Sequence, residues 1–419
     1  MKRLLLLLVV PMTVVVSWAQ AVLRPISPRT AAIVPLNVPA DSTAALPSDS
    51  LPWPLNVRAR LDSLLALPQL ETSTVGLMVY DLTADSALYC HNHRLLLRPA
   101  STQKLLTAVA AIDRLGTDYQ LRTSLYCKGN VDRRCLRGDL ICVGGMDPAF
   151  SSDDMRSFAE KLRDMGIDTI RGRIVTDCSM KDTLKWGEGW CWDDDNPTLS
   201  ALLVDRKACF ADALVEELMA SGMVLDSLAT TDGFLPRDAR LVCSCKHSLA
   251  QVLDRMMKES DNLYAEAVLY QIAASAGQRP ATAKQARTLM QQLIARLGLR
   301  AKDYRIADGS GLSLYNYLSA EVQVRLLRYA WLTPHVRYLL LPSLPIAGED
   351  GTLKGRMKDT AAAGNVRAKT GTLTGIVALA GYCTAANGHE LCFSIINQGV
   401  MSPRPGRDFQ DSVCQALCR

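Results

Sequence analysis

The chain has 419 residues, 48% of them apolar, and a formal charge of +5. That is enough for a sizeable core and for two domains, or for one domain carrying an insertion. Removing Lys2 and Arg3 with a leader takes two charges from +5 and leaves +3, and no basic run interleaves with aromatics, so nucleic acid is excluded as a partner class.

The N-terminus reads as a secretory signal. Lys2 and Arg3 form a basic start, Leu4 to Trp18 is mostly apolar, and Ala19-Gln20-Ala21 is a small-residue cleavage site. The apolar run is shorter than the ~20 residues of a membrane span. A signal peptide over 1–21 is therefore expected, and with it a soluble periplasmic protein without a stable membrane anchor. Residues 22–54, rich in Pro, Ser and Ala and without amphipathic period, read as a flexible linker.

Asn56 to Leu67 carries apolar residues at helical spacing. Val75 to Tyr80 and Ala87 to Cys90 flank a polar Thr83-Ala84-Asp85-Ser86 turn and predict a β-hairpin. After Pro99, Ser101 to Leu115 predicts a helix that buries Leu105, Leu106, Val109 and Ile112. Next come β-prone pieces (Leu140 to Val143, Thr169 to Thr176, Ala201 to Val204) alternating with short helices such as Met155 to Met165. The stretch is too long for a loop and predicts an inserted domain over 125–235, with the main domain formed by 55–124 and 236–419. Leu249 to Ile272 reads as one amphipathic helical stretch and Thr282 to Leu297 as another helix. Ile376 to Cys383 and Leu391 to Asn397, joined by Ala386-Asn387-Gly388, predict a second hairpin. Phe409 to Arg419 shows no long amphipathic helix able to grip a membrane surface.

Thirteen cysteines is an odd number, so at least one is unpaired. Cys127/Cys135 and Cys178/Cys191 are plausible local disulfides, whereas Cys243 and Cys245 are too close to bond each other comfortably. No Cys–His cluster has zinc spacing and there is no H-E-x-x-H, so neither a metal nor a cofactor is expected.

Ser101-Thr102-Gln103-Lys104, Ser260-Asp261-Asn262 and Lys369-Thr370-Gly371 follow one another in the order S-x-x-K, S-D-N, K-T-G used by serine acyl-transferases acting on penicillin-like and D-alanyl substrates. A serine hydroxyl needs a base, and positions i and i+3 share a helix face, so Lys104 falls beside Ser101. Burial and a nearby cation such as Lys369 would keep its amine neutral. Ser260 can relay a proton to the leaving amine, and Asn262 can hold Lys104 and the substrate backbone. Lys369 and Thr370 would bind a terminal carboxylate, and Gly371 would let an extended peptide approach a strand edge. Each motif also has a plain structural reading: a helix N-cap with a solvated lysine, a polar break between helices, and a strand-entry turn. The histidines supply no Ser-His-Asp signal.

The sequence resembles the penicillin-binding protein 4 type of D-alanyl-D-alanine carboxypeptidase/endopeptidase. The resemblance runs over roughly residues 70 to 400 and includes S-D-N-L-Y-A-E at 260–266, D-G-S-G-L-S at 308–313, L-P-I-A-G with D-G-T-L at 344–353, A-K-T-G-T-L at 368–373 and G-G-M-D-P at 144–148. It implies an α/β (α+β) fold of β-lactamase/transpeptidase type, an antiparallel sheet flanked by helices, with a β-rich domain inserted between the first two motifs. It implies an oxyanion hole from the backbone of Ser101 and Thr372, and a contact between Asp147 and an amine on the substrate side chain. It further implies peptidoglycan stem peptides as substrate and β-lactam antibiotics as inhibitors. The spacing from Ser101 to Ser260 is shorter than in members with two nested insertions. Two rivals remain: a β-lactamase, for which no E-x-x-x-N segment supplies a deacylating carboxylate, and an inactive peptidoglycan-binding module, against which the intact motifs argue.

Overall fold

A computed structural model describes residues 50–194, 197–226 and 229–419. The signal expected at 1–21 and most of the linker expected at 22–54 lie outside the described residues. The first helix, α1 (Leu55–Leu65), precedes the hairpin β1 (Thr74–Asp81) and β2 (Ser86–His91). A 3-10 turn over Ala100–Thr102 then leads into α2 (Gln103–Leu115), buried from Gln103 to Ile112. The middle of the chain forms β3 (Gln120–Asp132), β4 (Cys135–Val143), α3 (Ser152–Asp164), β5 (Thr169–Arg171), β6 (Arg173–Asp177), α4 (Phe210–Ala220), β7 (Val224–Leu225), β8 (Ala229–Asp232) and β9 (Arg240–Ser248). The remainder is α5 (Leu249–Lys258), α6 (Asn262–Ala274), α7 (Ala283–Arg296), α8 (Ala320–Leu332), α9 (Pro334–Ser343), β10 (Arg367–Leu373), β11 (Ile376–Thr384), β12 (Glu390–Gln398) and α10 (Pro403–Cys418).

These strands make two sheets. The first has the order β10-β11-β12-β1-β2 and is antiparallel throughout. β11 and β12 are buried on both faces because helices cover each side. Ala380, Tyr382 and Cys392 join the core of α2, α6 and α8, while Leu379, Leu391, Phe393 and Ile395 join α1 and α10. This period-two alternation between two cores is what a strand buried on both faces requires. The mixed fold with an antiparallel sheet between helices matches the expected class. The second sheet, order β7-β5-β4-β3-β9 with β6 on β4 and β8 on β6, is mixed parallel and antiparallel. Its core of Phe150, Phe158, Leu162, Phe210 and Leu214 is separate from the other two. Its strands run from Gln120 to Ser248, a wider span than 125–235.

Several expectations change. The stretch Leu249 to Ile272 is two helices: Ser260 sits at φ 60°, in the left-handed region, and Asp261 caps α6. Ala201 to Val204 forms no strand and contributes only an isolated bridge from Val204 to Lys207. The C-terminus does carry an amphipathic helix, α10, but its face of Phe409, Val413, Cys414 and Leu417 is buried on the sheet. The local disulfides do not form. Register sets Cys127 opposite Leu140 and Cys135 opposite Asp132, which separates the first pair along the hairpin, and Cys178 is a free thiol.

Candidate active site

Ser101 sits in the 3-10 turn that opens α2, where Ala100 is held at φ 47°. A non-glycine residue in that region carries a strain cost, typical of positions where surrounding structure dictates the backbone. One turn on, Lys104 is fully buried. Its Nζ lies 3.0 Å from Ser101 Oγ, 2.7 Å from Asn262 Oδ1 and 2.8 Å from the Ser310 carbonyl. Burial pulls its pKa down to about 8, against the opposing pull of Asp308, Glu266 and Asp261. A neutral amine has two N–H groups and one lone pair. Here two neighbours are acceptors and the third is a hydroxyl, so the contacts match a free base aimed at Ser101.

The break between α5 and α6 presents the second motif. Asp261 accepts from the Leu263 and Tyr264 amides, and it is gripped by Arg255 (3.0 Å) and Arg206 (3.2 Å). These contacts hold Ser260 in its left-handed conformation, with Asn262 at the first turn of α6. Lys369 Nζ donates to Ser260 Oγ at 2.8 Å and to the Thr370 carbonyl at 2.9 Å. Lys369 is fully buried, and burial together with the Lys104 charge holds its pKa well below the usual lysine range. Two amines thus compete for charge in one desolvated site.

Lys369, Thr370, Gly371 and Thr372 lie on β10, the free edge of the first sheet. A Cβ on Gly371 would stand 2.9 Å from the Pro99 carbonyl oxygen and 3.0 Å from the Ser101 nitrogen, so only glycine lets this strand lie along Ser101. Thr370 bonds Thr352 at 2.7 Å, and Thr372 is exposed with its hydroxyl accepting from Arg407.

The loop over residues 308–313 completes the site. Glu266 Oε1 accepts from the Gly309 and Ser310 amides, and Asp308 accepts from the Gly311 and Ser313 amides, Asn316 and Trp190. Together they aim the Ser310 carbonyl at Lys104. Gly311 has φ +82°, and a Cβ there would come within 1.9 Å of the Ala100 oxygen. Glu266 is buried, and desolvation with the neighbouring Asp308 pushes its pKa up to about 8. Reasoning from motifs assigned no role to Glu266, Asp308, Ser310 or Trp190. The first three stand in segments that were visible as sequence, but Trp190 gave no signal.

Hydrogen bonds therefore join Ser101, Lys104 and Asn262 in one set and Ser260, Lys369 and Thr370 in another. Asp147 joins neither. Its side chain is fully buried, bonded to His247 Nδ1 at 2.7 Å and to the Ala149 amide at 3.1 Å. The carboxylate expected at a substrate amine is enclosed by protein, and burial raises its pKa. Beside the second motif opens a cleft of about 910 Å³ lined by Asp205, Arg206, Lys207, Arg255 and Ser260 to Asn262. A larger groove of about 1120 Å³ near Lys181, Phe234 and Arg279 contains no motif residue.

The chain is 28% identical to a D-alanyl-D-alanine carboxypeptidase of an Actinomadura species, over 83% of this chain and 82% of that protein. It is 30% identical to carboxypeptidase DacB of Mycolicibacterium smegmatis, over 89% and 85%. The fold superposes on the crystal structure of penicillin binding protein 4 (dacB) from Haemophilus influenzae with a TM-score of 0.78 at 23% identity, covering 85% of this chain and 98% of that one. The D-Ala-D-Ala carboxypeptidase 3 (S13) family model matches residues 57–213 and 198–418. With its motifs gathered on the scaffold of that group, the chain belongs to the D-Ala-D-Ala carboxypeptidase 3 (S13) family of peptidases.

Proposed function

We propose that this serine hydrolase cleaves the D-Ala-D-Ala bond, or a D-Ala cross-link, of peptidoglycan stem peptides through an acyl-enzyme on Ser101. The observation that carries the reading is the contact set of Lys104: two fixed acceptors and the Ser101 hydroxyl around a buried amine of lowered pKa. Lys104 takes the hydroxyl proton as Ser101 Oγ attacks the penultimate carbonyl. The backbone N–H groups of Ser101 and Thr372 receive the developing oxyanion. Ser260 passes a proton to the departing D-alanine nitrogen and is resupplied through Lys369 and Lys104. Water then attacks the ester, and Ser101 recovers its proton. The peptide lies along the free edge of β10, its terminal carboxylate at Lys369 and Thr370, with Gly371 allowing the approach. A β-lactam follows the same first step, and its opened ring stays tethered to Ser101.

Residues near 125–235 are assigned here to an inserted domain built around the second sheet. The protein is assigned to the periplasm, supported by the basic start, apolar run and small-residue cleavage site of residues 1–21. Among the described residues no helix is long and apolar enough to cross a membrane.

Intact-mass measurement of the exported protein before and after penicillin, with peptide mapping, tests this reading. One long-lived adduct per chain on Ser101 is expected, absent in Ser101→Ala, on a chain that begins after Ala21. An adduct elsewhere, or none on folded protein, overturns the mechanism. Rapid penicillin turnover would mark a β-lactamase, and a mass retaining 1–21 would remove the export assignment.

A further inference from the structure

The outermost strand of the second sheet carries Cys243, Cys245 and His247 at alternate positions, so all three share one face. α3 packs on that face. Its Asp154 is fixed as the third helical residue by a capping box, in which Oδ2 accepts from the Ser151 amide and hydroxyl at 2.8 Å each. Asp154 Oδ1 stands 3.1 Å from Cys245 Sγ, and Oδ2 stands 3.8 Å from His247 Nε2. The other imidazole nitrogen, Nδ1, faces buried Asp147 at 2.7 Å. In the neutral ring with Nδ1 donating to Asp147, Nε2 carries the lone pair and stands 3.8 Å from the Asp154 carboxylate. No hydrogen bond joins Nε2 to Asp154, so two electron-rich atoms and a thiol converge with no donor between the first two.

We propose that Asp154, Cys245 and His247 bind a divalent cation of zinc type, with Asp147 orienting the imidazole. The three candidate ligand atoms lie within 4.8 Å of one another. Zinc–ligand lengths of about 2.0–2.3 Å place tetrahedral ligands about 3.3–3.7 Å apart, so small side-chain rotations close the set. A thiolate, an imidazole and a carboxylate suit zinc better than calcium or magnesium, which prefer oxygen alone. The Asp147–His247–cation line is the carboxylate–histidine arrangement that fixes the tautomer and direction of a metal-binding imidazole. On binding, the Cys245 thiol loses its proton to solvent and its sulfur lone pair forms the metal bond. His247 and Asp154 keep 18% and 24% of their side-chain surface, which leaves a way in and room for a fourth, solvent ligand. The ion would tie α3 to β9 and hold Asp147 in place. Motif scanning misses such a set: the strand supplies only C-x-H, and the acid comes from a helix far earlier in the chain.

The test is titration of the chelator-treated full chain with Co²⁺ under reducing, anaerobic conditions, read by thiolate-to-cobalt charge-transfer absorption, with Zn²⁺ as competitor. One Co²⁺ per chain with that absorption is expected, displaced by Zn²⁺ and abolished in Cys245→Ser and His247→Gln. In Asp147→Asn the affinity should fall by about 10–100-fold. Penicillin acylation of Cys245→Ser at the unmodified rate shows that the variant is folded. Independently of any variant, Zn²⁺ should protect Cys245 of the unmodified protein from iodoacetamide, read by peptide mapping. Failure to bind micromolar Co²⁺, equal binding by Cys245→Ser, or alkylation of Cys245 unaffected by Zn²⁺ overturns the site and leaves a hydrogen-bonded polar cluster.

Discussion

At the scale of single residues, the proposed chemistry depends on how much charge Lys104 carries. Its pKa of about 8 means that the lone pair is mostly protonated at pH 6 and mostly free at pH 9. Penicillin acylation should therefore rise with pH, about tenfold per unit below the midpoint, and level off above it. Glu266 titrates in the same range, so the midpoint belongs to the network rather than to one group. Glu266→Gln retains an acceptor for the Gly309 and Ser310 amides but removes a charge that favours protonated Lys104. The midpoint should move to lower pH, measured as the pH profile of the acylation rate; an unmoved midpoint would show that Glu266 does not act on Lys104. Lys104→Arg keeps the positive charge but cannot release its proton at usable pH. Acylation should fall by at least about 10²–10⁴-fold, the usual worth of a positioned base. Near-normal acylation in folded Lys104→Arg would assign the proton to another group. Lys104 was legible because S-x-x-K spacing puts it one turn from Ser101. Glu266 and Asp308 were not, since their effect depends on which loop amides they meet across the fold.

At the scale of elements, three backbone approaches decide whether the motifs meet. α2 presents Ser101, the α5–α6 break presents Ser260, and the free edge β10 runs beside both. At Gly371 the strand lies against the amide nitrogen of Ser101. Gly371→Ala would force β10 away from Ser101 or distort the turn before α2. A misplacement approaching 1 Å lowers rates by about 10²-fold, so acylation should drop by that order while thermal unfolding moves little. Unchanged acylation in stopped-flow measurements would mean that the substrate edge is elsewhere. The helical pattern of Leu249 to Ile272 read as continuous because its apolar spacing persists across the S-D-N turn. The break follows from Ser260 adopting φ 60° under the hold of Asp261, Arg255 and Arg206. The amphipathic face of α10 was equally hidden, since its start lies in a Pro- and Arg-rich segment that carries little apolar signal.

At the scale of the whole molecule, Arg206 belongs to the segment between the first two motifs and reaches the S-D-N turn. Its side chain keeps 46% of its surface, so the pair with Asp261 is partly screened by solvent. Such a contact contributes no more than about 1 kcal/mol. Arg206→Ala should slow penicillin acylation by at most about fivefold, because Arg255 still grips Asp261. A loss of a hundredfold would mean that Arg206 touches the ligand itself. The same segment carries Asp147, whose enclosure by His247 removes it from the open cleft.

Read alone, the sequence was enough to determine the serine-hydrolase class, the family, the two hairpins and the central helix. These rest on local spacing: three ordered motifs, alternating or helical apolar periods, and an Asn-Gly turn. The tertiary structure alone decided that Lys104 meets two acceptors and a hydroxyl, that Asp147 is sealed, that register separates Cys127 from Cys135 along their hairpin, and that Cys245, His247 and Asp154 converge. Each of these depends on atoms distant along the chain being brought within a few ångströms, and on burial, which removes the water that would otherwise screen and solvate them. Local spacing carries no record of either.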